Sequence, residues 1–515
     1  MVFKHDVLIV GAGLAGLRAA TEVAGKADVA LFSKVYPTRS HSGAAQGGIA
    51  AALENEEPDS WEWHMYDTAK GGDYLTDQDV AEILAKDAIR AVYELEHMGV
   101  PFNRTPEGKI AQRYFGGHTS NFGQAPVKRI CYAADRSGRV MMDTLYFDAV
   151  RKGIKIYPEF NVLDILIQDG QVAGLVAYEL ASGEVHVFHS RVVLLATGGY
   201  GKVYKVSSNA FASTGDGLAL TYKLGLPLED MEFVQFHPTG IWGLGVLISE
   251  AARGEGGVLR NGEGERFMER YAPTIKDLAP RDMVSRAIYS ELKEGRGING
   301  QDYIHLDLTH LGEKKLAERL SDISSFVRIY LGLNPATDLI PVHPTCHYMM
   351  GGIAVNIDGN VIDVKNNPVP GLYAAGECSC ISLHGANRLG CNSLLDLVVF
   401  GRRAGQHIAE SLNHLSWVEP PAGAERDTMD RIRRIKENSA GEKTAGIRKT
   451  LQEVMMDDCS VFRHEQGLEK ALEAVRGLQE RARNISIDHV GNRYNTDLMD
   501  ALELRNMLLL AEAIV

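Results

Sequence analysis

No stretch of this chain approaches the roughly 18 consecutive apolar residues that a membrane-spanning helix needs, and its mean hydropathy is −0.14. The chain is therefore not expected to cross a bilayer by itself. Positive charge is also short, with 54 Lys and Arg against 67 Asp and Glu and a net charge of −13. Such a balance provides no global basic field to hold nucleic acid or an anionic bilayer, so any anionic ligand must be captured by local cations. Cysteine is scarce. Its six positions, Cys131, Cys346, Cys378, Cys380, Cys391 and Cys459, contain no CxxC pair and are too few in 515 residues for a disulfide scaffold. Zinc and iron–sulfur spacings are thereby excluded, and free thiols in a reducing compartment are expected. What is plentiful is glycine, 53 residues against 17 prolines, in a chain that is 45% apolar and 23% charged. Tight turns and close backbone approaches in a soluble globular chain follow, not disorder or fibre. At roughly 150 residues per domain, the length corresponds to about three domains. The first strand-like run begins at Asp6, so no signal or transit peptide is expected.

The chain opens as strand, Gly-rich turn, helix and strand: Asp6–Val10, Gly11-Ala12-Gly13-Leu14-Ala15-Gly16, an Ala-rich run to Val23, then Asp28–Phe32. Buried-strand signals recur at Arg191–Ala196 and Gly371–Ala375, each followed by a Gly turn, with alternating strands around Asn161–Gln168, Val172–Leu180 and Glu184–Ser190. From about Glu232 to Pro344 the βαβ rhythm is missing and a separate domain is expected. Past Pro420-Pro421, helical spacing predicts helices over Met429–Glu437, Ile447–Met456 and Leu468–Asn484.

Gly11, Gly13 and Gly16 between a buried strand and a helix supply the tight turn, the close approach to a pyrophosphate and the close helix packing of a dinucleotide site. The second strand ends in Ser33-Lys34, where an NAD site places an acid. Only one such glycine motif is present, which favours one tightly held FAD over a pair of nucleotide sites.

Longer strings are more specific. Pro37-Thr38-Arg39-Ser40-His41-Ser42-Gly-Ala-Ala-Gln46-Gly47-Gly48, Trp61-Glu-Trp-His-Met-Tyr-Asp67, Gln235-Phe-His237-Pro-Thr-Gly240, Ser249-Glu250-Ala-Ala-Arg253-Gly-Glu-Gly-Gly257, Glu265-Arg-Phe-Met-Glu-Arg-Tyr-Ala-Pro273, Pro344-Thr-Cys-His347-Tyr-Met-Met-Gly-Gly352 and His384-Gly-Ala-Asn387-Arg388-Leu-Gly390 span nearly the whole chain. With them the sequence closely resembles the succinate dehydrogenase and fumarate reductase flavoprotein family. The resemblance implies an α/β fold: a Rossmann-like FAD-binding domain in two parts, 1–232 and 346–415, an inserted α+β capping domain at 233–345, and a C-terminal helical domain at 420–515. It also implies a further segment beyond the point matching Val515, so the helical domain is expected to be truncated; the apolar run Leu508–Val515 lacks a capping Gly or Pro.

The same resemblance implies FAD bonded covalently to His41. Further implied cofactor contacts are Gly11, Ala12, Gly13, Leu14, Ala15, Gly16, Ser33, Lys34, Thr38, Arg39, Ser40, Ser42, Gln46, Gly47, Gly48, Asp216, Glu377, Ser393 and Leu394. Asp216 and Glu377 are equally readable as turn or capping residues. Succinate, a dianion, needs several donors and a planar guanidinium; the family implies His237 and Ser249 for one carboxylate, His347 and Arg388 for the other, and Phe115 as a further substrate contact. Arg281 is implied as the base, with Glu250 next on a proton path. An arginine is a poor base by its reference pKa, above about 12. The role therefore requires an acid such as Glu250 to relay protons in a site dried by domain closure. Arg253 and Arg266 stay open between such roles and plain ion pairs.

The expected reaction is oxidation of succinate to fumarate, with electrons leaving through an iron–sulfur subunit and membrane anchor subunits to quinone, on the cytoplasmic side of the membrane, and with no nucleic-acid partner. Fumarate reductase is the reverse of the same chemistry. L-Aspartate oxidase lacks the flavin-linking histidine, so His41 counts against it. A non-catalytic flavoprotein-like carrier would not need the set His237, His347, Arg281 and Arg388.

Overall fold

The computed structural model describes residues 2–515. A six-stranded sheet forms its centre, in the order Asn360–Ile362, Pro368–Ala374, Val192–Leu195, Val7–Val10, Val29–Ser33, Lys155–Pro158. All but the first of these run parallel. The three central strands are buried at every residue, which explains their unbroken Val, Ile and Leu runs: a strand covered on both faces has no wet side on which to alternate.

Strand periodicity sorts the core into two halves. Val7, Ile9, Leu31, Val192 and Leu194 face a cluster containing helices Leu14–Val23, Gln78–Met98, Ser137–Arg151 and Asn392–Ser411. Leu8, Val10, Phe32, Val193 and Leu195 face the other way, toward the sheet Val2–Lys4, Val185–His189, Gln171–Glu179, Phe160–Gln168. That second cluster continues into the C-terminal helices Arg426–Glu437, Thr444–Asp458, Glu465–Arg481 and Thr496–Ile514, through Ile435, Leu451, Val475 and Leu508. The helical region thus completes one face of the nucleotide-binding part and shares its core.

The insert has a four-stranded antiparallel sheet, in the order Val234–Ile241, Ile340–Met349, Ile304–Asp307, Val258–Arg260, and a core into which Ala50, Phe115, Ile130 and Cys391 reach from outside it. Helix Arg281–Lys293 packs on the first of these strands. Ile340–Met349 runs unbroken through residues 345 and 346, where the sequence placed a division.

Between Gly48 and Asn161 the sequence analysis placed no elements. The structure has three helices there, Trp61–Gly71, Gln78–Met98 and Ser137–Arg151, and a hairpin, Gln112–Ser120 with Ala125–Cys131. Arg129 on the hairpin is wholly buried. Its Nε and Nη2 donate to the two Asp59 oxygens at 2.9 and 2.6 Å, and Nη1 donates to Asp67 at 2.7 Å. The hairpin is thereby tied to helix Trp61–Gly71, to which Asp67 belongs. Replacing Arg129 by Met leaves two carboxylates buried without their cation, so we expect a loss of roughly 3–5 kcal/mol. A denaturant midpoint equal to that of the wild type would show that this triad does not tie the elements together.

Candidate active site

The site begins where strand Val7–Val10 ends. Gly11 has φ +117°, a left-handed conformation reserved for glycine, and a Cβ there would lie 2.0 Å from the Ala196 carbonyl oxygen. A Cβ on Gly16 would lie 1.9 Å from the Gly11 oxygen. Helix Leu14–Val23 starts at Gly13 without a side-chain cap, leaving its first-turn N–H groups toward the cleft; of these, Leu14 N–H donates to Ser42 Oγ at 3.3 Å. Such a helix start is an anion site by virtue of its free N–H groups and its dipole.

One cleft is lined by Gly11, Ala12, Gly13, Leu14, Ala15, Ser33, Lys34, Ser40, His41, Ser42, Gln46, Gly47, Gly48, Asp216, Glu377, Ser393 and Leu394 at its nucleotide end, and by Phe115, His237, Ser249, Glu250, Arg281, His347 and Arg388 at the other. Its space is about 2010 Å³ with the open mouth included, and its lining is continuous from the glycine turn to the arginine end. Three expected cofactor residues are not on this lining. Gly16 acts one layer back, through its contact with Gly11; Arg39 is exposed on a short helical turn, and the Thr38 carbonyl accepts from Arg139 at 3.3 Å.

Lys34, the misfit of the nucleotide motif, is neutralised inside the protein. Its Nζ lies 2.6 Å from Asp216 and 2.8 Å from Glu503 of the last helix, and donates to Thr214 Oγ1 at 2.7 Å. Asp216 is thus the counterion of Lys34 as well as a lining residue. Burial lifts the Glu377 carboxyl to about 7, against a hydrogen bond from Met349 N–H.

At the far end, charge is concentrated on buried side chains. Arg281 donates from Nε to Glu250 at 2.8 Å and from Nη1 to Gln235 Oε1 at 3.0 Å; Arg388 Nη2 donates to the same Gln235 oxygen, also at 3.0 Å. Glu250 is held from behind by Gly116 N–H at 2.9 Å, and Arg253 approaches it at 3.7 Å. Arg388 lies over the Tyr348 ring, 4.4 Å from its centroid. Burial, then the Arg281 charge, lowers the Arg388 guanidinium to about 10. Burial and Arg281 likewise hold His237 and His347 well below the ordinary histidine value, so both are neutral at pH 7.

Tautomers follow from what faces each ring. Thr239 N–H donates to His237 Nδ1 at 3.2 Å, so the ring proton of the neutral form is on Nε2, which is buried without any partner. His347 Nδ1 is 2.8 Å from Ser208 Oγ, and the two imidazole centroids are 5.2 Å apart. His41 Nδ1 accepts from Ala210 N–H at 3.2 Å, leaving Nε2 free, and burial with the Lys202 charge lowers its pKa to about 4. His237 Nε2 and Arg388 Nε are buried without partners, and both residues line the cleft.

Gln235, Ser208 and Asn387 were not singled out from sequence. Gln235 Nε2 donates to Asn387 Oδ1 and to the Arg388 carbonyl, each at 2.7 Å, which makes it the joint between the two arginines. Its signal was present: Gln235 stands two residues before His237 on one strand, the spacing that shares a face. Arg253 and Arg266 both reach Asp277, Arg253 by its carbonyl and Arg266 by its carboxylate at 2.6 Å.

A family model described as an FAD binding domain matches residues 6–394, and one described as the fumarate reductase flavoprotein C-terminus matches 448–515. The chain is 47% identical to the succinate dehydrogenase flavoprotein subunit of Coxiella burnetii, covering 98% of this chain and 88% of that one. It is 46% identical to the mitochondrial succinate dehydrogenase [ubiquinone] flavoprotein subunit of Oryza sativa subsp. japonica, covering 98% and 82%. Among solved structures, a variant E. coli quinol fumarate reductase superposes with TM-score 0.93 at 39% identity, covering 100% of this chain and 88% of that one. The dinucleotide is therefore FAD, and the glycine turn and the uncapped helix fit it. Gly16→Ala pushes a methyl into the Gly11 carbonyl, so the purified variant is expected to lack flavin absorption. A normally flavin-loaded Gly16→Ala protein would contradict that close contact.

Proposed function

The chain belongs to the succinate dehydrogenase and fumarate reductase flavoprotein family, and from that premise we propose that it oxidises succinate to fumarate. The observation that carries this reading is the sharing of Gln235 Oε1 by Arg281 and Arg388 inside the cleft that begins at the FAD turn. Two buried cations this close, with the free Nε2–H of His237 beside them, suit a ligand with two negative ends.

His237 Nε2 and Ser249 Oγ hold one carboxylate. Arg388 and His347 hold the other, with the Arg388 plane set by Tyr348 and Gln235. Phe115 closes the cleft beside them, and a Cβ on Gly390 would strike its ring at 2.7 Å. Bound FAD supplies a two-electron acceptor for the hydride that leaves one methylene. Arg281 gives a proton to Glu250 Oε2 across 2.8 Å, and the neutral guanidine so formed takes the proton of the neighbouring methylene.

His41 is the residue we assign to the covalent flavin bond. Its Nδ1 is occupied by Ala210 N–H, so Nε2 is the nitrogen that would carry the flavin. Among the described residues no cluster of His, Cys, Asp and Glu is placed to hold a metal ion, and no helix is long and apolar enough to cross a membrane. We assign onward electron transfer to an iron–sulfur subunit and membrane anchor subunits with quinone, with this chain peripheral on the cytoplasmic side. Support comes from relatives: a quinol–fumarate reductase with menaquinol and a Mycobacterium smegmatis Sdh1 with UQ1 superpose with TM-scores of 0.93 and 0.86, at 39% and 38% identity. The former favours a second reading, fumarate reduction by the same residues, and assays in both directions compare them.

Arg281→Gln is expected to keep FAD and dicarboxylate binding and to lose turnover by at least ~10²-fold, the low end for a missing acid–base group; substantial retained turnover would remove Arg281 from this role. Flavin attachment is expected in wild type and absent in His41→Ser, read as flavin remaining with acid-precipitated protein. Because His41 is held neutral down to about pH 4, attachment should proceed at pH 5.5, where an ordinary histidine is mostly protonated. A fall-off centred near pH 6.5 would contradict that lowered pKa.

A further inference from the structure

Arg113 stands just behind the cofactor wall. It lies on strand Gln112–Ser120, is 6% exposed, and lines a second, polar cleft rather than the FAD cleft. Its Nη2 donates to the Gln46 carbonyl at 3.1 Å and also to the Gly47 carbonyl. The guanidinium stacks on Tyr132, 4.5 Å from the ring centroid, and its Nε has no partner.

No carboxylate among the described residues comes within ion-pair distance of it. The acids acting on it from farther away are Glu255 and Asp135. Glu255 is engaged by Arg319 at 3.1 Å, and Asp135 accepts from the N–H groups of Asp322 and Ile323 at 2.8 and 3.2 Å. A buried cation without a counterion is costly unless negative charge reaches it from elsewhere. Burial accordingly lowers its pKa.

The wall between Arg113 and the FAD cleft is two peptide groups. In a trans peptide the carbonyl and the following N–H point in opposite directions, so carbonyls turned to Arg113 turn Gly47 N–H and Gly48 N–H toward the cleft. Neither donates to a protein acceptor among the described residues, and both glycines line the cleft. The cation polarises these amides, as backbone N–H pairs polarise toward an anion.

We propose that Arg113 is a positioning residue that makes FAD easier to reduce: it holds and polarises the Gly47 and Gly48 amides against the negative charge that a hydride adds to the isoalloxazine. The inference rests on FAD occupying this cleft as described above. It assigns to the protein an electrostatic control of flavin potential separate from the His41 bond, acting through a residue that touches neither substrate nor cofactor.

The test is the flavin midpoint potential, measured by spectroelectrochemical titration of the flavin-loaded enzyme. Arg113→Gln should shift the oxidised-to-reduced equilibrium about tenfold toward oxidised, a fall of about 30 mV for a two-electron couple. Arg113→Lys, which keeps the charge, should retain most of the wild-type value. A loaded Arg113→Gln enzyme at the wild-type midpoint would overturn the proposal, as would equal falls in both variants, which would trace the effect to loop geometry rather than charge. Should Arg113→Gln not retain flavin, Tyr132→Glu places a carboxylate against the guanidinium with Arg113 kept; a lowered midpoint supports the proposal and an unchanged one overturns it. A wild-type protein without flavin would instead break the underlying cofactor reading.

Discussion

Two guanidinium groups that share one amide oxygen repel each other where water cannot screen them, and much of the surrounding structure answers to that repulsion. Glu250 balances Arg281 from one side and is itself fixed by Gly116 N–H, a position where a Cβ would collide with the Glu250 oxygen. Arg388 has no acid beside it and rests on the Tyr348 ring. Neighbouring imidazoles are kept neutral by burial and by the same charges, and so do not add to the excess. An acidic protein can thus present a strongly positive site, because the surface total and the local field are independent quantities.

The nucleotide end depends on a different economy. Backbone contacts at Gly11 and Gly16 are so close that no side chain fits, and the helix they start has no competing cap. Lys34 is compensated by Asp216 and by Glu503, which comes from a helix nearly 500 residues along the chain. That ion pair explains how a cation is tolerated where the dinucleotide fold ordinarily places an acid. It also shows why the C-terminal helices share a core with the nucleotide sheet and do not form a separate body.

The parallel strands were legible because burial on both faces writes itself as unbroken apolar runs, and the glycine turn because only glycine permits its geometry. The site residues were legible through long strings whose likeness to a family carried them. Gln235 was hidden although it lay inside one of those strings, because its role is defined by partners 46 and 153 positions away. Thr38 and Arg39 show the converse: membership of a string does not place a side chain on the lining. In the segment from Trp61 to Arg151, helix Gln78–Met98 was legible, with Asp77 capping its start, Gly99 ending it at φ +112° and Val80, Leu84, Ala88, Val92 and Leu95 buried at helical spacing, whereas the tie of Arg129 to Asp59 and Asp67 leaves no periodic trace.

His237 and His347 stand on two paired strands of the insert, Arg281 begins the helix packed on them, and Arg388 and Phe115 come from the nucleotide-binding part. The bridge from Arg281 through Gln235 to Arg388 therefore crosses the seam between the insert and the nucleotide-binding part, where Phe115 and Cys391 pack in the insert's core and Phe236 and Met349 in the other. The contact of both arginines with Gln235 exists only while those two parts are in register. On the proposed function, a ligand spanning the seam would act as its own latch, since the groups proposed to recognise it belong to both parts.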